Sequence, residues 1–198
     1  MNDTGTYSNL WDLTVLCLLR EKPMHPYEMQ RLLKVRHKDD VLVLKKGSLY
    51  HAIHRLTKAR FIEEIETARV GRRPERTTYS ITDAGRAQHK RWLEELISTP
   101  RREPNSFMAS VSFLVYLEPD DAATQLEARV ERLTIEVTSL ESALREVTPN
   151  LLRIHTVESE YLLALYRAEL TWVSDLLADI RSERLTWNLE QILTGLHK

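Results

Sequence analysis

Apolar side chains recur at helical spacing in several short stretches of the first half of the chain, and this pattern predicts short helices. Residues 8–20 are apolar on nearly every face, which predicts a helix buried on more than one side. Pro23 ends this helix, and Pro26 stands at a favourable first position for the next one. A third helix is expected from Ser48 to Lys58, with Ser48 as its N-cap.

The third predicted helix has one apolar and one polar face. Leu49, Ile53 and Leu56 recur at i, i+4 and i+7, so they share a face that can anchor the helix. The other face is polar and basic, and it consists of Ser48, His51, Arg55 and Lys58. A short helix with these two faces suits insertion into a DNA major groove, although an ordinary solvated face has the same pattern.

Two stretches after the third helix are rich in β-branched residues with partial alternation, and they predict a β-hairpin. They cover residues 61–70 and 78–82, and a segment with glycine, proline and arginines joins them. The tip of this hairpin would present Arg72, Arg73 and Arg76 together. Such a basic tip can neutralise DNA phosphates.

A fourth helix is predicted over residues 83–97, capped by Thr82 or Asp83. Its inward side is expected to consist of Trp92, Leu93, Leu96 and Ile97. Three helices, a hairpin with a basic tip and a further helix follow one another in the order of a winged helix-turn-helix. In that arrangement the third helix is the groove helix, and the hairpin is the wing.

The second half of the chain contains the longest regular pattern. Apolar residues alternately four and three positions apart form a heptad seam: Leu126, Val130, Leu133, Val137, Leu140, Leu144 and Val147. Pro119 opens this helix, and the pair Thr148 and Pro149 ends it. A short apolar helix is expected before it, over residues 107–117.

A second long helix is expected over about residues 150–185, followed by a short one over residues 186–196. Its apolar residues fall on two stripes. The first stripe consists of Tyr161, Leu165, Ala168, Trp172 and Leu176, and the second consists of Leu162, Tyr166, Val173, Leu177 and Ile180. One stripe can pack on the heptad helix, and the other needs a partner. The pattern leaves open which stripe does which, and the second stripe is our candidate for a dimer interface with another copy of the chain.

The net charge conceals an asymmetry between the two halves. A net charge of −1 and a pI near 6.7 argue against a nucleic-acid partner. However, residues 1–102 hold 20 basic and 13 acidic side chains, a net +7, and residues 103–198 hold 8 and 16, a net −8. This division predicts a mainly α protein with two domains, at 1–99 and 106–198, joined by a Pro- and Arg-containing linker at 100–105.

Cysteine usage and hydropathy indicate a cytoplasmic protein. Cys17 is the single cysteine, so no internal disulfide forms, and its apolar surroundings predict that it is buried. The apolar run around it is too short to span a bilayer, and the N-terminus lacks the positive region of a signal peptide. We therefore expect no membrane association.

The first half of the chain resembles the PadR family of bacterial transcriptional regulators. The segments that carry the resemblance are PYE at 26–28, GSLYHAIHRL at 47–56 and GRRPERTTYSITDAG at 71–85. It covers roughly residues 10–95. The chain departs from the family where His25 and Pro26 replace a usual glycine, and where Arg60 stands in place of another; both are turn or packing positions. The helical second half resembles the virulence-activator type of this family more weakly, through length and pattern.

The resemblance implies a homodimer that binds a pseudo-palindromic operator in double-stranded DNA and usually represses. By position, the groove helix is Ser48–Lys58, and Tyr27 and Tyr50 are candidate phosphate contacts. Tyr50 could equally pack half-buried on the second helix. The complete set of DNA-binding candidates is Tyr27, Lys45, Lys46, Ser48, Tyr50, His51, Arg55, Lys58, Arg72, Arg73 and Arg76.

The resemblance also suggests a small aromatic or apolar effector. Trp11 and Trp172 are the first candidates to stack on it, although core or interface packing explains each of them as well. His51 and His54 are too few to hold a metal, and we expect no metal and no cofactor.

Two other functions, an enzyme and a protein-interaction module, are alternatives to a DNA-binding regulator. An enzyme is not expected, because the chain has no phosphate loop, nucleophile elbow, CxxC or HExxH motif. A helical protein-interaction module, whose winged helix does not read DNA, would explain the long amphipathic helices. The clustered cations of the wing favour the DNA-binding interpretation, since they need an anionic partner.

Overall fold

The computed structural model describes residues 10–36, 47–68, 76–100 and 105–195. The chain divides into two compact units, Met1–Arg102 and Glu103–Lys198. Most of the linker expected at 100–105 falls on residues 101–104, which lie outside the described residues. Its bounds therefore stay a prediction.

The N-terminal unit follows the predicted order of helices and strands. Its elements are α1 (Leu10–Glu21), α2 (Pro26–Val35), α3 (Ser48–Lys58), β1 (Ile62–Ala68), β2 (Arg76–Ile81) and α4 (Asp83–Ser98). Together they form a winged helix with a small antiparallel sheet, which confirms the mainly α fold class.

The core of this unit consists of the apolar faces that periodicity predicts. Leu49, Ile53 and Leu56 of α3 are each at most 5% exposed, and Met29 of α2 is fully buried. The expectation for α4 is half right: Trp92 is buried, but Leu93 and Ile97 are exposed. The expectation for Cys17 is wrong, because it lies on an exposed part of α1. α1 is apolar on nearly every face, so its pattern cannot tell which side is covered.

The helix boundaries confirm some predicted caps and correct others. Oγ1 of Thr82 accepts a hydrogen bond from the Gly85 amide at 3.0 Å and caps α4. Gly47, rather than Ser48, occupies the N-cap of α3, and no side chain caps it. Ser48 is therefore the first helical residue.

A tight turn joins α3, β1 and α4. Arg60 has φ 59°, the left-handed conformation that favours glycine, directly after the end of α3. The Phe61 carbonyl accepts from the Thr82 amide, and a Cβ on Gly85 would lie only 2.0 Å from that carbonyl oxygen. Gly85 thus permits a backbone contact that holds the base of the wing against α4.

The wing is an antiparallel hairpin with one irregularity. Ile62 pairs with Ile81 at its base and Ala68 with Arg76 towards its tip, and a register shift lies between Glu64 and Glu66. Met24 adds an isolated bridge to β2 through two backbone hydrogen bonds with Tyr79, at 3.1 and 3.2 Å. The hairpin is therefore anchored to the chain segment between α1 and α2.

The C-terminal unit is helical throughout the part that the structure describes. Its elements are α5 (Ser106–Ser112), a 3₁₀ turn (Leu114–Tyr116), α6 (Pro119–Val147), two 3₁₀ turns (Thr148–Asn150 and Arg153–His155), α7 (Val157–Arg181) and α8 (Leu189–Gly195). The expected helix over 107–117 is thus a shorter helix and a turn. The expected helix over 150–185 begins only at Val157, because a 3₁₀ turn that contains Pro149 and a second 3₁₀ turn precede it.

α6 and α7 pack along each other in antiparallel directions. Leu126 and Leu133 of the heptad seam are buried against Val173 and Ile180 of α7. Ion pairs flank this core, and they join Arg129 with Glu169, Arg167 with Glu141 and Arg181 with Glu127. The heptad seam therefore faces α7 of the same chain.

The stripe that we assigned to a dimer interface is largely used within the chain, which corrects that assignment. Val173 is fully buried, Ile180 is 5% exposed, and Tyr166 and Leu177 pack against the same cluster. Leu162 alone of this stripe is exposed. The exposed stripe is the other one, with Tyr161, Leu165 and Trp172 at 66%, 46% and 48%. Periodicity shows which residues share a face, but not which partner covers that face.

No helix among the described residues combines the length and the apolar character that a membrane span requires.

Arg60→Gly should raise the free energy of unfolding by about 0.5–1 kcal/mol. The substitution removes about 1–2 kcal/mol of strain, which is the cost of the left-handed conformation for a residue with a Cβ. Part of this gain is offset, because glycine loses more conformational entropy on folding. Urea denaturation of the wild type and the variant measures the difference. His54→Gly, on the exposed side of α3, is the matched control and should lower stability. An Arg60→Gly variant no more stable than the wild type would contradict the strained turn.

Candidate nucleic-acid interface

The exposed side of α3 carries the polar residues that the sequence singles out. Four apolar residues anchor the helix: Leu49, Ala52, Ile53 and Leu56. His51, Arg55 and Lys58 are exposed on the outer side, together with His54, while Ser48 is partly exposed. The helix thus presents a cationic, hydrogen-bonding surface on a rigid apolar base, a combination that serves recognition of a DNA groove.

One of these cations, Arg55, forms an ion pair with Asp12 of the same unit. Nε of Arg55 donates to Oδ2 of Asp12 at 3.2 Å, and its terminal nitrogen donates to Oδ1 at 2.6 Å. The Asp12 side chain is only 6% exposed, whereas that of Arg55 is 43% exposed. The guanidinium therefore offsets the desolvation of a nearly buried carboxylate and ties α3 to α1.

Asp12 is a residue that the sequence reasoning missed. The available signal was an acidic side chain in the otherwise apolar run of α1, from Leu10 to Leu19. A buried carboxylate needs a partner, but the spacing along the chain does not indicate which one. Arg55 lies 43 residues away.

Both candidate tyrosines present accessible side chains. Tyr27 is 64% exposed at the start of α2, and Tyr50 is 54% exposed on α3. The Tyr27 amide donates to Nδ1 of His25, which caps α2 at 3.0 Å. The departure from the family pattern at His25 therefore supplies a helix cap. Two cations that the sequence reasoning did not select, Arg31 and Lys34, are also exposed on α2.

The basic residues of the wing tip and of the approach to α3 lie outside the described residues. These are Lys45, Lys46, Arg72 and Arg73. Arg76 is the first residue of β2 and pairs with Ala68 through its backbone, but its side chain is also outside the described part. The described base of the wing exposes Glu63 and Glu64. A cationic surface of the wing would therefore have to come from residues beyond this described base.

A contact between a thiol and an imidazole joins α1 to α4. Sγ of Cys17 lies 3.0 Å from Nε2 of the nearly buried His89. Although Cys17 is an exposed residue, its thiol is partly buried at this contact, and the desolvation raises the pKa of the thiol, partly opposed by the charge of Arg20. Burial, and then Arg20, lower the pKa of His89. Both groups are therefore uncharged near neutral pH, and their contact is structural.

The two candidate effector tryptophans occupy different environments. Trp11 is partly buried against the core of the N-terminal unit. Trp172 is 48% exposed on α7, and its ring meets that of Phe107 edge-on with the centroids 6.1 Å apart. No group of His, Cys, Asp or Glu that could hold a metal ion occurs in the described ranges.

The fold and the surface of α3 define a winged-helix protein, and comparison with known protein families shows what its N-terminal unit is similar to. Residues 15–91 match the model of the transcriptional regulator PadR-like family. This likeness to a family of transcriptional regulators covers most of the described N-terminal unit. No curated protein sequence matches the chain.

Solved structures with the same two-part fold extend the likeness to most of the chain. Bacillus subtilis PadR in complex with operator DNA aligns with a TM-score of 0.69 and 19% identity, over 87% of this chain and 99% of that one. The same protein in complex with p-coumaric acid aligns with a TM-score of 0.70 and 17% identity, over 87% of this chain and 99% of that one. The Vibrio cholerae virulence activator AphA aligns with a TM-score of 0.63 and 16% identity, over 87% of this chain and 99% of that one.

Arg55→Ala should lower the free energy of unfolding by about 1–2 kcal/mol. The reason is that a nearly buried carboxylate loses its charged partner, a cost reduced here because Arg55 is partly solvated. Thermal or urea denaturation measures the loss. Lys58→Ala, on the same exposed side of α3, is the control and should change stability by less than about 0.5 kcal/mol. Equal stability of the two variants would mean that the ion pair does not hold α3 in solution.

Proposed function

We propose that this regulator is a cytoplasmic homodimeric repressor that binds a pseudo-palindromic operator in double-stranded DNA and is released by a small aromatic or apolar effector. The observation that carries the proposal is the outer surface of α3, where His51, Arg55 and Lys58 stand on a fully buried apolar face. The net charge of +7 on residues 1–102 supports it, since phosphate contacts supply most of the affinity for DNA.

In this proposal the residues of α3 have different roles. With its side chains an α-helix is about 10–12 Å across, so the eleven-residue α3 fits a major groove about 12 Å wide. Ser48, His51 and Lys58 would face base edges and phosphates. Arg55 would use only the N–H groups that Asp12 leaves free, and would mainly fix the orientation of the helix.

Contacts outside α3 would add affinity without sequence information. The exposed hydroxyls of Tyr27 and Tyr50 are suited to phosphate oxygens. Arg72, Arg73 and Arg76 of the wing, with Lys45 and Lys46 before α3, would neutralise further phosphates. A structural neighbour in complex with operator DNA supports this use of the fold.

The Arg72→Ala, Arg73→Ala double variant should bind both specific and non-specific DNA more weakly. It should also reduce the slope of log affinity against log salt by about 2–4 for a dimer, because up to four phosphate contacts disappear. Fragments of the upstream region of the gene itself provide the DNA for the titration. Arg145→Ala with Arg184→Ala, two exposed arginines of the C-terminal unit, is the control and should keep the wild-type slope.

Two results would count against this model. An unchanged slope in the wing variant would remove the wing from the interface. If the wild type bound no fragment at low salt, the helical protein-interaction module would be the better interpretation.

The homodimer is supported by the apolar residues that α7 leaves exposed. Tyr161, Leu165 and Trp172 are 66%, 46% and 48% exposed on α7, whereas Val173 and Ile180 of the same helix are buried in the cluster with α6. Soluble proteins rarely expose a contiguous apolar stripe unless another molecule covers it. A second copy is the simplest occupant, because a dimer also places two groove helices on the two halves of an operator.

Leu165→Glu should shift the chain from dimer to monomer in sedimentation at micromolar concentration. A carboxylate within the apolar interface should weaken association at least about tenfold. Ala178→Glu, on a different exposed side of α7, is the matched control and should remain dimeric. A monomeric wild type, or a dimeric Leu165→Glu variant, would overturn this interface.

An effector is the least constrained element of the proposal. A structural neighbour in complex with p-coumaric acid supports an aromatic ligand. Trp11 and Trp172 remain the candidates for stacking on it, and Trp172 is the more accessible of the two, beside Phe107. Quenching of tryptophan fluorescence by p-coumaric acid, compared between the Trp11→Phe and Trp172→Phe variants, would assign the site.

A further inference from the structure

A cleft of about 530 Å³ lies within the C-terminal unit, between α5 with its 3₁₀ turn and the first half of α6. Pockets of this size hold small organic molecules. Its apolar wall consists of Phe107, Val111, Leu114, Leu117, Leu126 and Leu133. Neither Trp11 nor Trp172 lines this cleft, but the ring of Trp172 contacts Phe107 of its wall.

Arg129 forms a fixed part of the cleft before any ligand binds. Its guanidinium carbon lies 3.5 Å from the centre of the Phe107 ring. Its Nε donates to Glu169 of α7 at 2.7 Å, and a terminal nitrogen donates to the same oxygen. Because Glu169 compensates its charge, Arg129 serves to hold Phe107 in place rather than to attract an anion.

Arg132 is the cation that the cleft leaves available. Five of the seven arginines after residue 102 form ion pairs with carboxylates: Arg129, Arg153, Arg167, Arg181 and Arg184. Arg132 lines the cleft, is exposed, and makes no ion pair or hydrogen bond with any residue that the structure describes. The one carboxylate lining the cleft is that of Glu136, and it forms no ion pair with Arg132.

An unpaired arginine beside an apolar wall is unusual in this unit. The net charge of residues 103–198 is −8, and most of their cations are paired internally. The cleft therefore combines apolar surface, one arginine without an ion-pair partner among the described residues and the polar groups of Gln125 and Tyr166. This set of groups complements a molecule with an apolar body and one negative end.

We propose that this cleft binds a small amphipathic anion, with its apolar body against Phe107 and Leu133 and its acidic group paired with Arg132. Carboxylates and sulfonates on an aromatic or aliphatic body belong to this class. Binding itself does not depend on the DNA-binding function. Only the use of the cleft as an effector site rests on that proposed function.

Two dyes with a common skeleton separate recognition of the anion from adhesion to apolar surface. The probes are 1-anilinonaphthalene-8-sulfonate and the uncharged N-phenyl-1-naphthylamine, which lacks the sulfonate. Arg132→Gln should weaken binding of the sulfonate about fivefold to tenfold, as expected for the loss of a charge-assisted hydrogen bond near solvent. It should leave binding of the uncharged dye unchanged, and Arg132→Lys should restore most of the affinity for the sulfonate.

Two further variants fix the location of the site. Arg145→Gln removes an exposed arginine from the same helix outside the cleft, and it should bind both dyes like the wild type. Val111→Trp fills the cleft and should reduce binding of both dyes, with circular dichroism and thermal melting as checks of folding. Energy transfer from Trp172, which touches Phe107, should accompany binding in the wild type.

The proposal is overturned if Arg132→Gln affects the two dyes equally or not at all, or if Val111→Trp affects neither while remaining folded. It is also overturned if the dyes bind only under conditions that dissociate the dimer, since a second copy would then occupy the cleft. DNA titrations on the same preparations show separately whether the proposed function holds. If a preparation binds DNA but not the dyes, the ligand-binding role of the cleft is rejected and the proposed function is not affected.

Discussion

The carboxylate of Asp12 is nearly buried on α1, and the guanidinium of Arg55 reaches it from α3, so the orientation of the groove helix depends on α1. α1 in turn is joined to α4 through the contact of Cys17 with His89. Apolar packing holds α3 in place along its length, but packing alone tolerates small rotations. A hydrogen-bonded ion pair has a narrower geometry, so the cation on the exposed side of α3 also fixes the angle of the helix.

The turn after α3 applies the same kind of constraint to the wing. Arg60 adopts a left-handed conformation, and Gly85 allows the carbonyl of Phe61 to approach the start of α4. Thr82 links the two, because its hydroxyl donates to the Arg60 carbonyl at 2.8 Å and accepts from the Gly85 amide. The base of the wing therefore cannot move independently of α4, and the strain at Arg60 is balanced by the contacts around it.

The parts of the fold that sequence predicts well are those governed by local periodicity. The apolar spacing of Leu49, Ile53 and Leu56 predicts the buried face of α3, and Thr82 is read correctly as a cap. Partners distant in sequence are not accessible in this way, which is why the pairing of Asp12 with Arg55 was missed. Cys17 was placed wrongly and the stripe of α7 was assigned wrongly for a related reason: an apolar pattern marks a face without naming what covers it.

The division of charge between the two halves has a consequence for each arginine of the C-terminal unit. The carboxylates there outnumber the cations, so an arginine that has no function beyond packing readily finds an acidic neighbour, as Arg167 and Arg181 do on Glu141 and Glu127. These pairs are exposed and contribute little stability. What they do accomplish is to remove positive charge from a surface that should stay away from DNA phosphates. Arg132, beside the apolar wall of the cleft at α5, forms no ion pair with any residue that the structure describes, although Glu136 lines the same cleft. Its charge is therefore directed at whatever enters that cleft.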